Sequence, residues 1–347
     1  MTVLVTGATG LVGSHVVLAL RAAGEPVRAM VRAPSLGVAL ALGAEPVEGD
    51  TRDAAAWHRA AQGVRAIVHT AAIVASKSPK EEFFAVNVGG TGQAIAAARE
   101  AGARLVHVSS VAVYGRTKAY TARAGAVDEE FPFGEIQPHD FYAQSKRHAE
   151  EVLWEEVARG GLAATVIRPN VIYGEYDRLL SPRVVKAVRV GLLPQIGAGT
   201  NRLSCVYAGN VAAAIVKAID APAAPGRVYN VTDDGKNSHT QRGFIDAFAA
   251  ALGVRVRRVR VPYKVARFIA DWWVRLQVLL RPGSYPGIGG QAVRFYAGEN
   301  PFTTARARRE LGWEPVVTPV EAVKRTVAWC LSPYPVRQSP HPLAPSR

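Results

Sequence analysis

The sequence predicts an α/β protein, a doubly wound parallel sheet followed by a smaller C-terminal α/β lobe. Three observations predict it. Short apolar runs alternate with amphipathic, Ala-rich stretches through the first half of the chain. The alternation begins with a strand, a glycine-rich turn ("TGATGLVG", 6–13) and a helix. After Pro169 the rhythm loosens. Strands apolar on both faces, separated by helix-length segments, are what βαβ units around a buried parallel sheet require.

The elements follow in order. "TVLVTG", "PVRAMVR", "AEPVEGD", "RAIVHTAA", "RLVHVSS" and "ATVIRP" read as strands, and 11–23, 34–42, 53–61, 81–101 and 142–158 as the helices between them. Beyond Pro169 come a helix at 181–191, the Gly-rich turn "GAGTN", a short strand, and a helix over 210–220. A strand, turn and helix start from "RVYNV". The segment 262–281 is aromatic and aliphatic, broken by Arg267, Asp271 and Arg275. It fits either a core-packed helix of the second lobe or a peripheral membrane face presented by Trp272 and Trp273. The expected organisation is a dinucleotide-binding domain over 1–169, completed by about 203–220. A substrate lobe follows over 170–330, then a disordered Pro/Ser-rich tail over 331–347.

Composition narrows the function. A chain of 347 residues, 49% hydrophobic, can bury a large core. Two cysteines, Cys205 and Cys330, make neither a disulfide framework nor a metal site, so a reducing, cytoplasmic setting is expected and no metal. The chain enters a strand at once, leaving no room for a signal peptide, and no apolar run is long enough to span a bilayer. The net charge of +14 comes mostly from scattered arginine, as in "RVRRVR" and "RARRE". Neither stretch belongs to a nucleic-acid module, so solvated arginine is expected and no nucleic-acid partner.

The chemistry starts at Gly7, Gly10 and Gly13, which together with Thr9, Leu11 and Val12 form a turn that opens a helix. Such a turn lets a pyrophosphate approach the backbone N–H groups at the helix N-terminus. The second strand ends in Val31 and Arg32 where NAD enzymes usually place an acid. Arg32 suits a 2′-phosphate, which points to NADP with NAD as the alternative, unless Arg32 merely caps the strand end. Asp50 is placed to accept from the adenine amino group, with Thr51 beside it, while Asp53 reads as a helix cap. Ser109 and Ser110 end the fifth strand, where parallel sheets bind ligands. Tyr142 and Lys146 lie one helical turn apart, a spacing that surface residues also adopt. A phenol with a reference pKa near ~10 is a poor base at neutral pH. A nearby ammonium and a nicotinamide cation would lower that pKa, so Tyr142 could move the proton while the cofactor carries the hydride.

"TGATGLVG", "GDTRD", "HTAA", "NVGGTG", "VSSVAVYG", "YAQSK" and "IRPNVIYG" occur in one order from residue 2 to about 330. In that order and spacing they resemble the extended short-chain dehydrogenase/reductase superfamily. The resemblance implies a Rossmann-like cofactor domain and a C-terminal substrate lobe. It also implies Ser110 as the catalytic serine, Tyr142 as acid/base, Lys146 as its partner and Asn87 in the proton relay. Ala71 and Ala72 would line the cofactor, and Pro169 would approach the carboxamide. A homodimer through the helices around Tyr142 is a further family expectation. "VRAMVRAPS" looks like the dihydroflavonol-reductase-like branch, and "NRLSCVYAGNVAAAI" like the 3β-hydroxysteroid dehydrogenase-like branch. Nucleotide-sugar epimerases usually carry an arginine where Leu203 stands, one residue from Arg202. The expected activity is NAD(P)-dependent interconversion of a secondary alcohol and a ketone on a hydrophobic, steroid-like or polyketide-like small molecule. The alternatives are a nucleotide-sugar epimerase or dehydratase, and a non-catalytic NADP-sensing protein. The large apolar side chains of the second lobe suit either such a substrate or an ordinary core.

Overall fold

Val3, Leu4 and Val5 expose no surface at all, which is why their run shows no polar alternation. They belong to β1 (Thr2–Thr6), at the middle of a seven-stranded sheet. In this computed structural model the described residues are 1–74, 78–115, 127–233, 235, 238–280, 293, 296–298 and 301–333. After β1 come α1 (Leu11–Ala22), β2 (Val27–Val31), α2 (Leu36–Ala41), β3 (Glu45–Glu48), α3 (Ala54–Ala61) and β4 (Val64–His69). Next are α4 (Lys80–Phe84), α5 (Gly90–Glu100), β5 (Arg104–Val108), α6 (Phe141–Ala158) and β6 (Ala164–Pro169). The later elements are β7 (Ile172–Tyr173), α7 (Ser181–Val190), β8 (Leu192–Ile196), β9 (Val206–Tyr207) and α8 (Ala208–Asp220). They continue with β10 (Arg227–Val231), α9 (Gln241–Leu252), β11 (Arg257–Val261), α10 (Tyr263–Leu280), α11 (Ala305–Leu311) and α12 (Pro319–Leu331).

The sheet runs β10-β6-β5-β4-β1-β2-β3 with every pairing parallel. Strand order reverses between β1 and β4, and the crevice beyond the carboxyl ends there is where such sheets hold ligands. This is the Rossmann-like arrangement. One face is covered by a cluster that includes Val16, Leu20, Val211 and Ile215 from α1 and α8, the other by one with Trp57, Ala94, Ile95 and Leu153. The smaller lobe has two short parallel pairs, β8 with β11 and β7 with β9.

Three expectations change. The stretch 81–101 is not one regular helix: Ala85–Gly89 between α4 and α5 form a π-helical turn. The large apolar residues of the second lobe, among them Tyr173, Val185, Phe244, Phe248 and Val327, pack on one another as a core. They are therefore not a free lining for a substrate. The core-packed reading of 262–281 fails over α10, where Val274 is the one buried residue of the described helix. Trp272 and Trp273 are both about half exposed. The residues from 334 onward, most of the expected disordered tail, lie outside the described residues, and Leu331 ends α12.

Candidate active site

The β1–α1 turn is built without side chains because there is no room for them. Gly7 has φ +65°, and a Cβ there would lie 2.7 Å from Thr70 Oγ1 and 2.8 Å from the Ala71 nitrogen. A Cβ on Gly13 would collide with the Gly7 carbonyl. The two glycines therefore let the turn pack against the exit of β4, bringing Ala71 beside it. Ala72 follows and is likewise partly buried. Gly10 is the N-cap of α1, and its N–H donates to the Gly7 carbonyl at 2.9 Å. With no side-chain cap and no acid in the first turn, the helix's positive end at Leu11, Val12 and Gly13 suits an anion. Thr9 sits partly buried in the same turn. This donor set, with its tight backbone cradle, fits the pyrophosphate of a dinucleotide.

Beyond β2 and β3, Arg32, Ala33, Glu48, Gly49, Asp50, Asp53 and Arg59 line one surface hollow. Val31 is buried and Arg32 exposed, so the strand end presents a cation and no carboxylate of its own. Asp50 is engaged by its own neighbour: Arg52 Nε donates to Oδ1 at 2.8 Å and Arg52 Nη2 to Oδ2 at 2.9 Å. The Arg52 fork holds the Asp50 carboxyl down at about 2. An adenine amino group would share this carboxylate with Arg52, which leaves each oxygen a further lone pair. The Thr51 carbonyl accepts the Trp57 indole N–H at 2.8 Å, and Asp53 caps α3 through the Ala55 N–H at 2.9 Å, as expected.

Ser110 and Tyr142 meet at the carboxyl end of β5. The Ser110 side chain caps a 3-10 turn over Val111–Tyr114, accepting the Ala112 N–H at 3.1 Å. It also acts on the Tyr142 phenol, lowering its pKa. Ser109 is buried, and its hydroxyl has no hydrogen-bond partner among the described residues; it is Ser110 that acts on the phenol. Asp140 starts the helix that carries Tyr142 by accepting the Ala143 N–H at 3.1 Å. One turn on, Lys146 is 2% exposed and its Nζ donates to the Val108 carbonyl at 2.7 Å.

Without a nicotinamide cation, burial sets the state of the Tyr142 phenol. Burial pushes the Tyr142 phenol up to about 12, against the lowering by Ser110, and the Asp140 charge adds to the rise. The chain's own groups thus favour the neutral phenol, burial first among the causes. Burial in turn draws Lys146 down to about 8, opposed by Glu150, one turn further along α6.

Asn87 ties the walls together. It lies on the π-helical turn, fully buried, with Oδ1 accepting the Ile73 N–H at 2.8 Å. Its Nδ2 donates to the Ile73 carbonyl at 3.0 Å and to Ser145 Oγ at 2.9 Å. Ser145 in turn donates to the Tyr142 carbonyl at 2.9 Å. The chain leaving β4 is thereby fixed to the helix of Tyr142 and Lys146. Pro169 ends β6 opposite Val231 and is buried.

Several residues of this region escape a reading of motifs. Ser145 completes the Asn87 bridge, and Asp140 is the helix cap that also acts on the phenol. His69 and His107 are fully buried on adjacent strands with ring centroids 5.6 Å apart. Burial, with the Lys146 charge, holds His69 down at about 3 and His107 well below its ordinary value, so both are neutral. Arg168 pairs with Glu150 at 2.5 Å, both nearly inaccessible. An arginine inside the otherwise apolar strand "ATVIRP" was the available signal for that pair.

A Rossmann-like sheet, a glycine cradle at its switch point and a Ser–Tyr–Lys group at the end of β5 define a nicotinamide-dependent enzyme of the short-chain dehydrogenase/reductase type. The comparisons agree: the description "NAD dependent epimerase/dehydratase family" matches residues 3–232, and the chain belongs to that family. It is 31% identical over 350 residues to the 3 beta-hydroxysteroid dehydrogenase/Delta 5-->4-isomerase of Mycobacterium tuberculosis, covering 95% of this chain and 90% of that one. It is 30% identical over 321 residues to a 4-hydroxy-2-methyl-3-oxo-4-farnesyl-3,4-dihydroquinoline-1-oxide ketoreductase of Stigmatella aurantiaca, covering 92% and 93%. The fold also matches the UDP-glucuronic acid 4-epimerase of Bacillus cereus in complex with NAD, with TM-score 0.72, 18% identity, and 95% and 98% of the two chains covered.

Proposed function

We propose that the protein reduces a ketone to a secondary alcohol on a hydrophobic small molecule, with NADPH preferred over NADH. The observation that carries the reading is the grouping at the carboxyl end of β5: Ser110 caps the turn after the strand, Lys146 is buried with Nζ on the Val108 carbonyl, and Tyr142 lies one helical turn before Lys146. The nicotinamide cofactor supplies the hydride. The chain's own residues do the rest. Ser110 donates to the carbonyl oxygen and holds it against Tyr142. The Tyr142 phenol, neutral with its pKa near 12, gives its proton to that oxygen as negative charge builds there. Lys146 spends one N–H on Val108 and keeps two for ribose hydroxyls. Oxidation of the alcohol runs the same proton transfer in reverse, with the Tyr142 phenolate as the base.

The hydrophobic substrate is supported by two relatives whose names describe a steroid enzyme and a farnesyl-quinoline ketoreductase. Leu203 is fully buried in the second lobe's core, so no arginine stands there for a sugar nucleotide's phosphates. NADP is supported by exposed Arg32 and the missing acid at Val31. A second reading, a nucleotide-sugar epimerase or dehydratase, draws support from the family's own scope and from Arg202, which is exposed beside Leu203.

The test is Tyr142→Phe. Turnover should fall by about 10²–10⁴ with the cofactor Kd nearly unchanged, the range a positioned proton donor contributes. A variant turning over at the parent rate would remove Tyr142 from the mechanism.

A further inference from the structure

α10 presents three distinct sides. At 3.6 residues per turn, Ala266, Ala270, Val274 and Gln277 fall on the side that meets the protein, buried or partly buried. Lys264, Arg267, Asp271 and Arg275 form a charged edge, with Arg267 donating to Asp271 at 3.3 Å. On the third side Val265, Phe268, Ile269, Trp272 and Leu279 point outward, with Phe268 71%, Ile269 57%, Trp272 55% and Leu279 75% exposed. Exposed apolar residues scattered singly need no explanation, but five large ones on one side of one helix mark a binding surface.

We propose that α10 docks the protein on an anionic lipid bilayer, lying in the plane of the interface with this apolar side buried at the headgroup level. Charge and aromatic content choose this partner over others. Residues 255–280 hold seven basic residues and one acidic, Asp271. Arg257 and Arg260 are exposed on β11, which leads into the helix. A second copy of the chain would bring the same positive charge against itself across a two-fold axis, whereas anionic headgroups neutralise it. Trp272 and Trp273 suit a boundary that is apolar on one side and wet on the other. No helix among the described residues is long and apolar enough to cross a membrane, and the charged edge of α10 fits a helix that lies on one. The inference stands on this surface alone and does not depend on which substrate the active site takes.

The full-length protein is sedimented with vesicles of phosphatidylcholine alone and of phosphatidylcholine with about a third phosphatidylglycerol. The protein should pellet with the anionic vesicles, weakly or not at all with the neutral ones, and its tryptophan emission should shift to the blue. Phe268→Ser and Trp272→Ser should each weaken partitioning by about tenfold or more. Lys264→Glu with Arg275→Glu should weaken binding to the anionic vesicles selectively. These side chains are exposed, so circular dichroism and Tm should stay at the parent values. Protein left in the supernatant with both vesicles overturns the proposal, as does parent-like partitioning of the serine variants. A dimer dissolved by Phe268→Ser, with no vesicle binding, would overturn it in favour of an interface between copies.

Discussion

Lys146 carries a desolvation cost. A lysine whose native pKa lies near 8, below its ordinary 10.5, is disfavoured as the ammonium. Below pH 8 both states hold the proton and the native state bears the full cost. Between about 8 and 10.5 the unfolded chain binds more protons, so the cost is relieved and stability rises with pH. Replacing Lys146 by methionine should therefore stabilise the fold at pH 7.5, by about 1–3 kcal/mol, and by less at pH 9.5. Urea unfolding at the two pH values checks this, and an equal effect at both would mean the ammonium is well solvated. Lys146 and Tyr142 were legible from their spacing, but the direction of the phenol's shift was not. It depends first on burial, which is not local in sequence. The Asp50–Arg52 fork is the opposite case, two residues apart and readable from "GDTRD".

Among the elements, the π-helical turn does the positioning. Asn87 spans from the chain after β4 to α6 through Ile73 and Ser145, contacts of 14 and 58 residues' separation. Asn87→Ala leaves the buried Ile73 amide and carbonyl and the Ser145 hydroxyl without this partner, which should cost about 2–3 kcal/mol and lower Tm. Turnover should fall further than substrate KM rises, because Tyr142 loses its register more than the pocket loses its shape. A variant that melts early but keeps parent kcat would make Asn87 a packing residue. At the adenosine end, Arg32→Asp should move the ratio of NADP to NAD efficiency towards NAD by at least about tenfold, since it replaces the proposed phosphate partner with a repelling charge. An unchanged ratio would assign the phosphate to another group, with Arg59 of the same hollow the next to replace. The strand–helix alternation was legible because a buried parallel strand must be apolar throughout. The outward face of α10 was not, because an amphipathic pattern says that a helix has two faces but not which one meets water.

For the molecule as a whole, the glycine cradle follows β1 at the switch point with β4, and Ser110 follows β5, the strand on the other side of β4. The sheet's last strand, β10, and its covering helix α8 return from the C-terminal half, so the cofactor layer is closed by chain beyond Pro169. The second lobe spends its large apolar side chains on its own core, and the reading of a hydrophobic substrate therefore rests on the relatives and on Leu203. The most direct measurement is nicotinamide absorbance with purified protein, NADPH or NADH, and two panels: hydrophobic ketones, then nucleotide sugars. The account predicts net loss of NADPH absorbance with a ketone of the first panel, faster than with NADH. A nucleotide sugar converted with no lasting absorbance change, and no ketone reduced, would contradict it and place the chain with the epimerases and dehydratases.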